Sequence, residues 1–365
     1  MEDKRSILHF DLDTFFVSVE RLINSSLNNK PVVIGGNSDR AVVASCSYEA
    51  RQFGVHSGMP MRMARNLCPD AFAVRGDLDL YNKYSKLVTE IISEKAPLYE
   101  KASIDEHYID ISGMDKFFGN LKWAKELRSS IIENTGLPIS FGLSVNKTVA
   151  KIATGEAKPN GELQINNNFV KAFLNPLSIR KIPMIGKKTY FLLRSMGIVK
   201  IHTLSNMPPE MVKTVLGKNG ISIWKKANGL DTSVVKSYSE RKSISSEKTF
   251  EKDTTDIIEL NKILNAMVEK TAFKLRKKHK LTGCVTVKIR YSNFDTHTLQ
   301  KNISYTSFDH KLQIIVKALF QKLYSRRMRI RLIGIKFSKL VYGGQQLNLF
   351  DDKAQMIDLY YEMDK

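Results

Sequence analysis

Asp11 and Asp13 stand two apart in Ile7-Leu8-His9-Phe10-Asp11-Leu12-Asp13. Asp105 and Glu106 stand side by side in Ala102-Ser103-Ile104-Asp105-Glu106-His107-Tyr108-Ile109-Asp110. Both pairs interrupt apolar segments, where a carboxylate is costly to bury unless it is paired, hydrogen-bonded or bound to a metal. Taken alone, each pair also reads as a turn or capping acid. Together they suggest hard-cation chemistry. Mg²⁺ prefers carboxylate and phosphate oxygens, and two such ions about 3.5–4 Å apart stabilise both the attacking and the leaving oxygen of a phosphoryl transfer. Phosphate donors accompany the acids. Tyr48 and Arg51 lie one helical turn apart, and the forked guanidinium suits phosphate. Lys158 is held in a turn restricted by Pro159.

The elements that must position these groups follow from periodicity. Residues 6–13 read as a buried strand and 14–23 as a helix. Strands are expected at 30–35 and 41–45, and short helices at 49–53 and 60–67. A longer helix follows at 80–95, then strands at 99–104 and 106–112 with a tight turn at Asp105. A helix at 122–135, a strand at 139–144 and a helix at 147–156 complete one mixed α/β unit over residues 1–165. Residues 170–230 change to short helices punctuated by Gly186, Gly197, Pro208, Gly217 and Gly220, a small all-α domain. Residues 231–242 are polar, basic and aperiodic, as in a linker. Residues 243–342 read strand, long helix (256–280), two strands, helix (309–325), strand. That βαβ–βαβ pattern suggests an internal duplication in which each half covers one face of a shared sheet.

The charge balance names the class of partner. Over 365 residues, 57 Lys+Arg against 37 Asp+Glu give a formal net charge of +20, which points to nucleic acid or an anionic membrane. No run approaches the roughly 20 apolar residues that span a bilayer, and the start of the chain has no signal-peptide core, so no membrane association is expected. A hydrophobic content of 42% with 26% charged residues excludes disorder. Cys46, Cys68 and Cys284 have no paired spacing, which argues against a disulfide framework or zinc site and for a cytoplasmic protein. Basic residues cluster at Lys270, Lys274, Arg276, Lys277, Lys278 and Lys280, and again at Arg326, Arg327, Arg329 and Arg331. On a strand, Arg327, Arg329 and Arg331 would share one face.

Four segments carry a resemblance. Phe10-Asp11-Leu12-Asp13-Thr14-Phe15-Phe16 and Ser103-Ile104-Asp105-Glu106 resemble the two catalytic motifs of Y-family, lesion-bypass DNA polymerases, most closely those of bacteria. Ser47-Tyr48-Glu49-Ala50-Arg51-Gln52-Phe53-Gly54-Val55 is similar to the family's nucleotide-gripping segment. Ser144-Val145-Asn146-Lys147 through Ala157-Lys158-Pro159-Asn160-Gly161 is similar to its helix-to-loop element. The segments occur in the family's order over nearly the whole chain.

The resemblance implies a multidomain fold. A ferredoxin-like palm with small inserted fingers would occupy 1–165, with the fingers at about 14–75. A helical thumb with a helix-hairpin-helix would occupy 166–231 and a linker 232–242. A βαββαβ little finger would fill 243–342 and a tail 343–365. It also implies a low-fidelity, template-directed DNA polymerase for translesion synthesis, with no proofreading nuclease and two Mg²⁺ ions. Asp11, Asp105 and Glu106, with the backbone carbonyl of Leu12, would hold the metals, while Asp13 is structural. Phe15, Phe16, Ser45, Tyr48, Arg51 and Lys158 would contact the dNTP, with Phe16 as the steric gate against a ribose 2′-OH. His107 and Met184 depart from the family pattern, the latter at a hairpin position where glycine is commoner.

Primer-template DNA would meet Lys147, Lys151, Gly186, Lys187, Arg327, Arg329 and Arg331. At a helix-hairpin-helix such as 182–198, backbone N–H groups approach phosphate without reading sequence. Gln346-Leu347-Asn348-Leu349-Phe350, after Gly343-Gly344, is similar to a bacterial sliding-clamp-binding peptide, with Gln346, Leu347, Leu349 and Phe350 as its contacts. The enzyme is expected to act as a monomer. A non-catalytic DNA-binding relative would not need Asp11, Asp105 and Glu106. A helix-hairpin-helix nuclease would not need Tyr48, Arg51 and the phenylalanine gate.

Overall fold

Apolar residues alternate along residues 7–12, and in the computed structural model this segment is the central strand of a five-stranded sheet. The structure describes residues 5–114, 119–238, 240–326 and 328–343, with Tyr360 and Glu362. The chain divides into two compact units, Met1–Tyr238 and Ser239–Lys365. No helix among the described residues is long and apolar enough to cross a membrane.

The strands of the first unit are β1 (Ile7–Leu12), β2 (Val32–Gly35), β3 (Val43–Cys46), β4 (Phe72–Val74), β5 (Tyr99–Lys101), β6 (Glu106–Asp110), β7 (Ile139–Ser144) and β8 (Glu162–Gln164). Five of them form a sheet in the order β5-β6-β1-β7-β8, with β1 antiparallel to both neighbours. Leu8, Phe10 and Leu12 enter a core with residues of helices Phe15–Ile23, Leu78–Lys95 and Asn120–Thr135. Alternate residues of β1 meet the helix Lys147–Ala157 instead: Ile7 clusters with Ala150, and His9 bonds Thr154. That helix comes very close to β7, where a Cβ on Gly142 would lie 2.2 Å from the Ala150 carbonyl oxygen. Only glycine fits there.

Between helices Phe15–Ile23 and Leu78–Lys95 the chain builds a small sheet, β3-β2-β4, around Val33, Val43, Cys46, Met59 and Met61. Helices from Val170–Leu174 to Lys218–Ala227 share a core with Val149, Ile152 and Ala153 of the Lys147–Ala157 helix. The strands β4 and β8 are absent from the sequence expectation. Each has three residues, too few to show alternation, and each is held as a parallel partner of a longer strand.

The second unit holds β9 (Ser243–Thr254), β10 (Lys280–Tyr291), β11 (Thr296–Thr306) and β12 (Ile330–Tyr342), in the order β11-β10-β12-β9. Three expectations need correction here. The long helix ends at Arg276 rather than Lys280, because His279 turns into the left-handed region (φ 50°) and Lys280 begins β10. Both helices, Ile257–Arg276 and Asp309–Leu323, pack with each other on one face of the sheet, in a single core with Val285, Val287, Ile289, Ile333, Ile335 and Phe337. The opposite face carries Thr286, Lys288, Arg290 and Lys336, and so polar a face does not bury a helix. Finally, β12 starts at Ile330, so strand alternation includes Arg331 but not Arg329.

Candidate active site

The ends of the three central strands bring the acidic pairs together. Asp11 lies opposite Glu106 on β6 and Ser140 on β7, and the Leu12 N–H donates to the Asp105 carbonyl at 3.0 Å. Ser103 builds the turn that presents Asp105 and Glu106. Its hydroxyl accepts from the Glu106 N–H at 3.0 Å and donates to the Asp105 carboxylate at 2.5 Å. A serine three residues before the strand's first acid is the local signal for this support.

Lysines from the Lys147–Ala157 helix and its C-terminal cap reach these acids. The Lys158 ammonium donates to the Asp11 carboxylate and lies 3.5 Å from Asp13 Oδ1. Lys151 Nζ donates to both Glu106 oxygens, at 2.6 and 2.5 Å. Among the described residues, no group of three or more acid, imidazole or thiol side chains is arrayed as a metal cage. Lysine ammonium groups supply the positive charge.

The acids titrate in opposite directions. Burial, reinforced by the Glu106 and Asp105 charges, pushes Asp11 up to about 6 against the pull of Lys158. Burial would also raise Glu106, but His9 and Lys151 outweigh it and hold Glu106 down at about 2. His9 is wholly buried and lowered to about 4 by that burial, hence neutral at pH 7. Its Nδ1 shares a 2.8 Å hydrogen bond with Thr154 Oγ1. Nε2 is 3.7 Å from Glu106 Oε2, too long for a hydrogen bond, and is left without a hydrogen-bond partner among the described residues. His107 is a neutral core residue: burial first, then Lys101, lowers it to about 3, and it shares a 3.0 Å hydrogen bond with Thr89.

The expected nucleotide contacts fall around the same strand ends. Ser47 caps the five-residue helix Tyr48–Gln52 by accepting the Ala50 N–H. The Tyr48 hydroxyl donates to Asp13 at 3.3 Å, and the exposed Arg51 guanidinium stands 5.0 Å over the Tyr48 ring. Ser45 is buried in β3 opposite Ile34. Phe15 is buried in the core, whereas half-buried Phe16 stacks on Tyr81 at 4.2 Å and 13°.

Several expected DNA contacts are already engaged within the chain. Lys147 donates to both Glu100 oxygens at 2.7 Å, and Lys151 is held by Glu106 as above. Sequence reasoning has no signal for these pairings, which are set by tertiary packing. Gly186 caps the helix Lys187–Ser195, and both Gly186 and Lys187 are exposed. Just before them Met184 adopts φ 83°, the conformation glycine favours, inside a turn closed by the Ile185 N–H on the Ile182 carbonyl at 3.1 Å. The hairpin therefore forms despite the methionine, at some cost in backbone strain. Arg329 is exposed, and Arg331 stacks over Phe294 at 4.5 Å. Arg327, Gln346, Leu347, Leu349 and Phe350 lie outside the described residues.

Residues 10–155 match the impB/mucB/samB family, and residues 241–349 match that family's C-terminal domain. A DNA polymerase IV of Dehalococcoides mccartyi is 38% identical over 365 residues, covering 99% of this chain and 94% of the relative. One from Treponema denticola is 34% identical over 337 residues, covering 92% of this chain and 85% of the relative. Among solved structures, a Y-family DNA polymerase chimera of Dbh and Dpo4 superposes with a TM-score of 0.83 at 27% identity, covering 93% of this chain and 100% of its own. An insertion ternary complex of Dbh DNA polymerase gives 0.65 at 26% identity with the same coverage.

Proposed function

The chain belongs to the impB/mucB/samB family, the Y-family DNA polymerases, and from that premise we propose that it extends a primer by two-metal nucleotidyl transfer during translesion synthesis. The primer 3′-OH attacks the α-phosphate of a dNTP paired to the template, and pyrophosphate leaves. One observation carries the reading: Asp11, Asp105 and Glu106 converge at the ends of β1 and β6, beside Lys158 and Tyr48.

The donor set fits Mg²⁺. It consists of hard carboxylate oxygens from Asp11, Asp105 and Glu106, brought to adjoining strand ends with the Leu12 carbonyl between them in sequence. Asp11, Asp105, Glu106 and the Leu12 carbonyl would hold two ions. Bound divalent cations polarise phosphoryl oxygens and lower the pKa of an attacking hydroxyl. The rest is supplied by side chains of this chain. Arg51 and Lys158 bring fixed positive charge, and Tyr48 a hydroxyl, to the β- and γ-phosphates. The Phe16 ring, braced on Tyr81, occupies the space a ribose 2′-OH would need.

In this reading the palm is 1–165 with fingers at about 14–75, the thumb 166–231, the linker 232–242, the little finger 243–342 and the tail 343–365. Gly186, Lys187 and the arginines near residue 330 track the DNA backbone, and Gln346–Phe350 docks a sliding clamp. Synthesis is of low fidelity, with no proofreading step of its own. Primer extension with Mg²⁺ and dNTPs tests the chemistry. Asp105→Ala or Glu106→Ala should abolish extension while primer-template affinity stays near that of the parent. Substantial extension by either variant would refute the metal assignment.

A further inference from the structure

Asp13 is two residues from Asp11, yet its carboxylate serves other partners. The β1 pairing ends at Leu12, and the Asp13 N–H turns to the Pro138 carbonyl at 2.9 Å. The residue is 1% exposed. Oδ2 accepts from the Ser140 hydroxyl at 2.8 Å and from the Asn160 N–H at 2.6 Å. Oδ1 accepts from the Tyr48 hydroxyl at 3.3 Å, with Lys158 Nζ at 3.5 Å. Four segments remote in sequence therefore meet on one carboxylate: the end of β1, β7, the 158–161 loop and the Tyr48–Gln52 helix.

A buried charge is tolerated only when its oxygens are satisfied, and an ionised carboxylate is purely an acceptor. All the groups gathered here are donors or cations, so a carboxylate suits the position and an amide does not. The loop shows why the site matters. Ser140 Oγ also accepts the Gly161 N–H at 3.1 Å, and Arg128 grips the Asn160 carbonyl and side-chain oxygens at 2.8 and 2.7 Å. The backbone on the C-terminal side of Lys158 is thus tied to β7 and Asp13 at successive residues.

We propose that Asp13 is a positioning residue for the triphosphate site: it binds neither metal nor nucleotide, and it fixes the 158–161 loop so that Lys158 is presented at the phosphates. Tyr48 has one O–H, which rests on Asp13 and is free to turn to a phosphate. The inference rests on the reading of Lys158 as a phosphate contact.

Single-nucleotide insertion kinetics on the full chain test it. Asp13→Asn should raise the dNTP KM by about 10- to 100-fold, the range for losing a charge-assisted hydrogen bond. The kcat should change far less, and primer-template affinity, read by fluorescence anisotropy, should not change. Ser140→Ala keeps the carboxylate but removes one tether from Asp13 and one from Gly161, and should raise the same KM by about fivefold, because Tyr48, Asn160 and Lys158 still hold Asp13. It also decides the matter if Asp13→Asn fails to fold in a thermal melt. In a Lys158→Ala background Ser140→Ala should add little, and Asp13→Asn should add less than it does alone, because the loop's phosphate contact is gone while Tyr48 remains. Full additivity with Lys158→Ala, or an unchanged KM in the folded variants, overturns the positioning role. A Lys158→Ala variant with the parent's KM would instead remove the phosphate-contact reading on which the role rests.

Discussion

Asp11→Asn should make the protein more stable at neutral pH while ending its activity. A carboxyl whose folded-state pKa is raised contributes stability that is complete below its unfolded value and is lost as pH rises through the folded value. Asp11 is raised from 3.8 to about 6. At about 1.4 kcal/mol per pH unit, its ionisation therefore weakens folding by roughly 3 kcal/mol above pH 6. Asparagine cannot ionise and avoids that loss. The gain is discounted for solvent screening because Asp11 is 18% exposed; the pull of Lys158 is already contained in the shift. A net of about 1–2 kcal/mol remains, or roughly 2–8 °C in Tm for a unit of this size. Thermal melts in EDTA from pH 4 to 8 would read it. The gap between variant and parent should be small near pH 4, open between 4 and 6, and stay constant above. Adding millimolar Mg²⁺ should raise the Tm of the parent more than that of the variant. A variant that melts below the parent at pH 7.5, or a gap that ignores pH, refutes the account of a carboxylate destabilised by burial.

Phe16→Ala removes the ring stacked on Tyr81. Discrimination against ribonucleotides in single-turnover insertion should fall by about 10- to 200-fold, the range that pocket size alone supplies; unchanged selectivity would remove Phe16 as the gate. With a net charge of +20 and no base-reading motif in the sequence, primer-template affinity should be indifferent to sequence. About 6–10 phosphate contacts should cost roughly 10³–10⁵ in affinity between 50 and 200 mM salt in anisotropy titrations, and a flat response would contradict the backbone-tracking picture. Leu349→Ala with Phe350→Ala should leave extension unchanged without a clamp and lose most of the added product length with one loaded, since tethering acts through effective concentration alone. Equal stimulation of both proteins would exclude the peptide as the tether.

The strands that carry the acidic pairs were legible because their signals are local. An apolar run broken at Asp11 and a turn forced at Asp105 each lie within a few residues, and β7 appears at its predicted bounds, Ile139–Ser144. The end of the Ile257–Arg276 helix was misplaced for the same reason in reverse: Lys277, Lys278 and Lys280 are good helix formers, and only the conformation of His279 and the pairing of β10 with β12 show the break. Arg331 was expected to face DNA with its neighbours, and its stacking on Phe294 joins segments 37 residues apart. Met184 marked a departure from glycine in the sequence, but its φ could be known only from the folded hairpin.

Least legible was where the lysines spend their charge. Composition counts Lys147, Lys151 and Lys158 toward a surplus available for DNA, yet each rests on an acid of the palm: Glu100, Glu106, and Asp11 with Asp13. These are pairs between elements 45 to 147 residues apart, visible only once β1, β6 and the Lys147–Ala157 helix are assembled. Their proximity gives strong local attraction, and partial burial protects them from salt far better than exposed charges. The excess of +20 that can respond to ionic strength must therefore sit largely outside this cluster, on exposed residues such as Lys187, Lys188, Lys274 and Arg329. Salt should act first on the hold on the duplex and only later on the geometry of the active site, so the two kinds of basic residue, alike in composition, separate by what they touch.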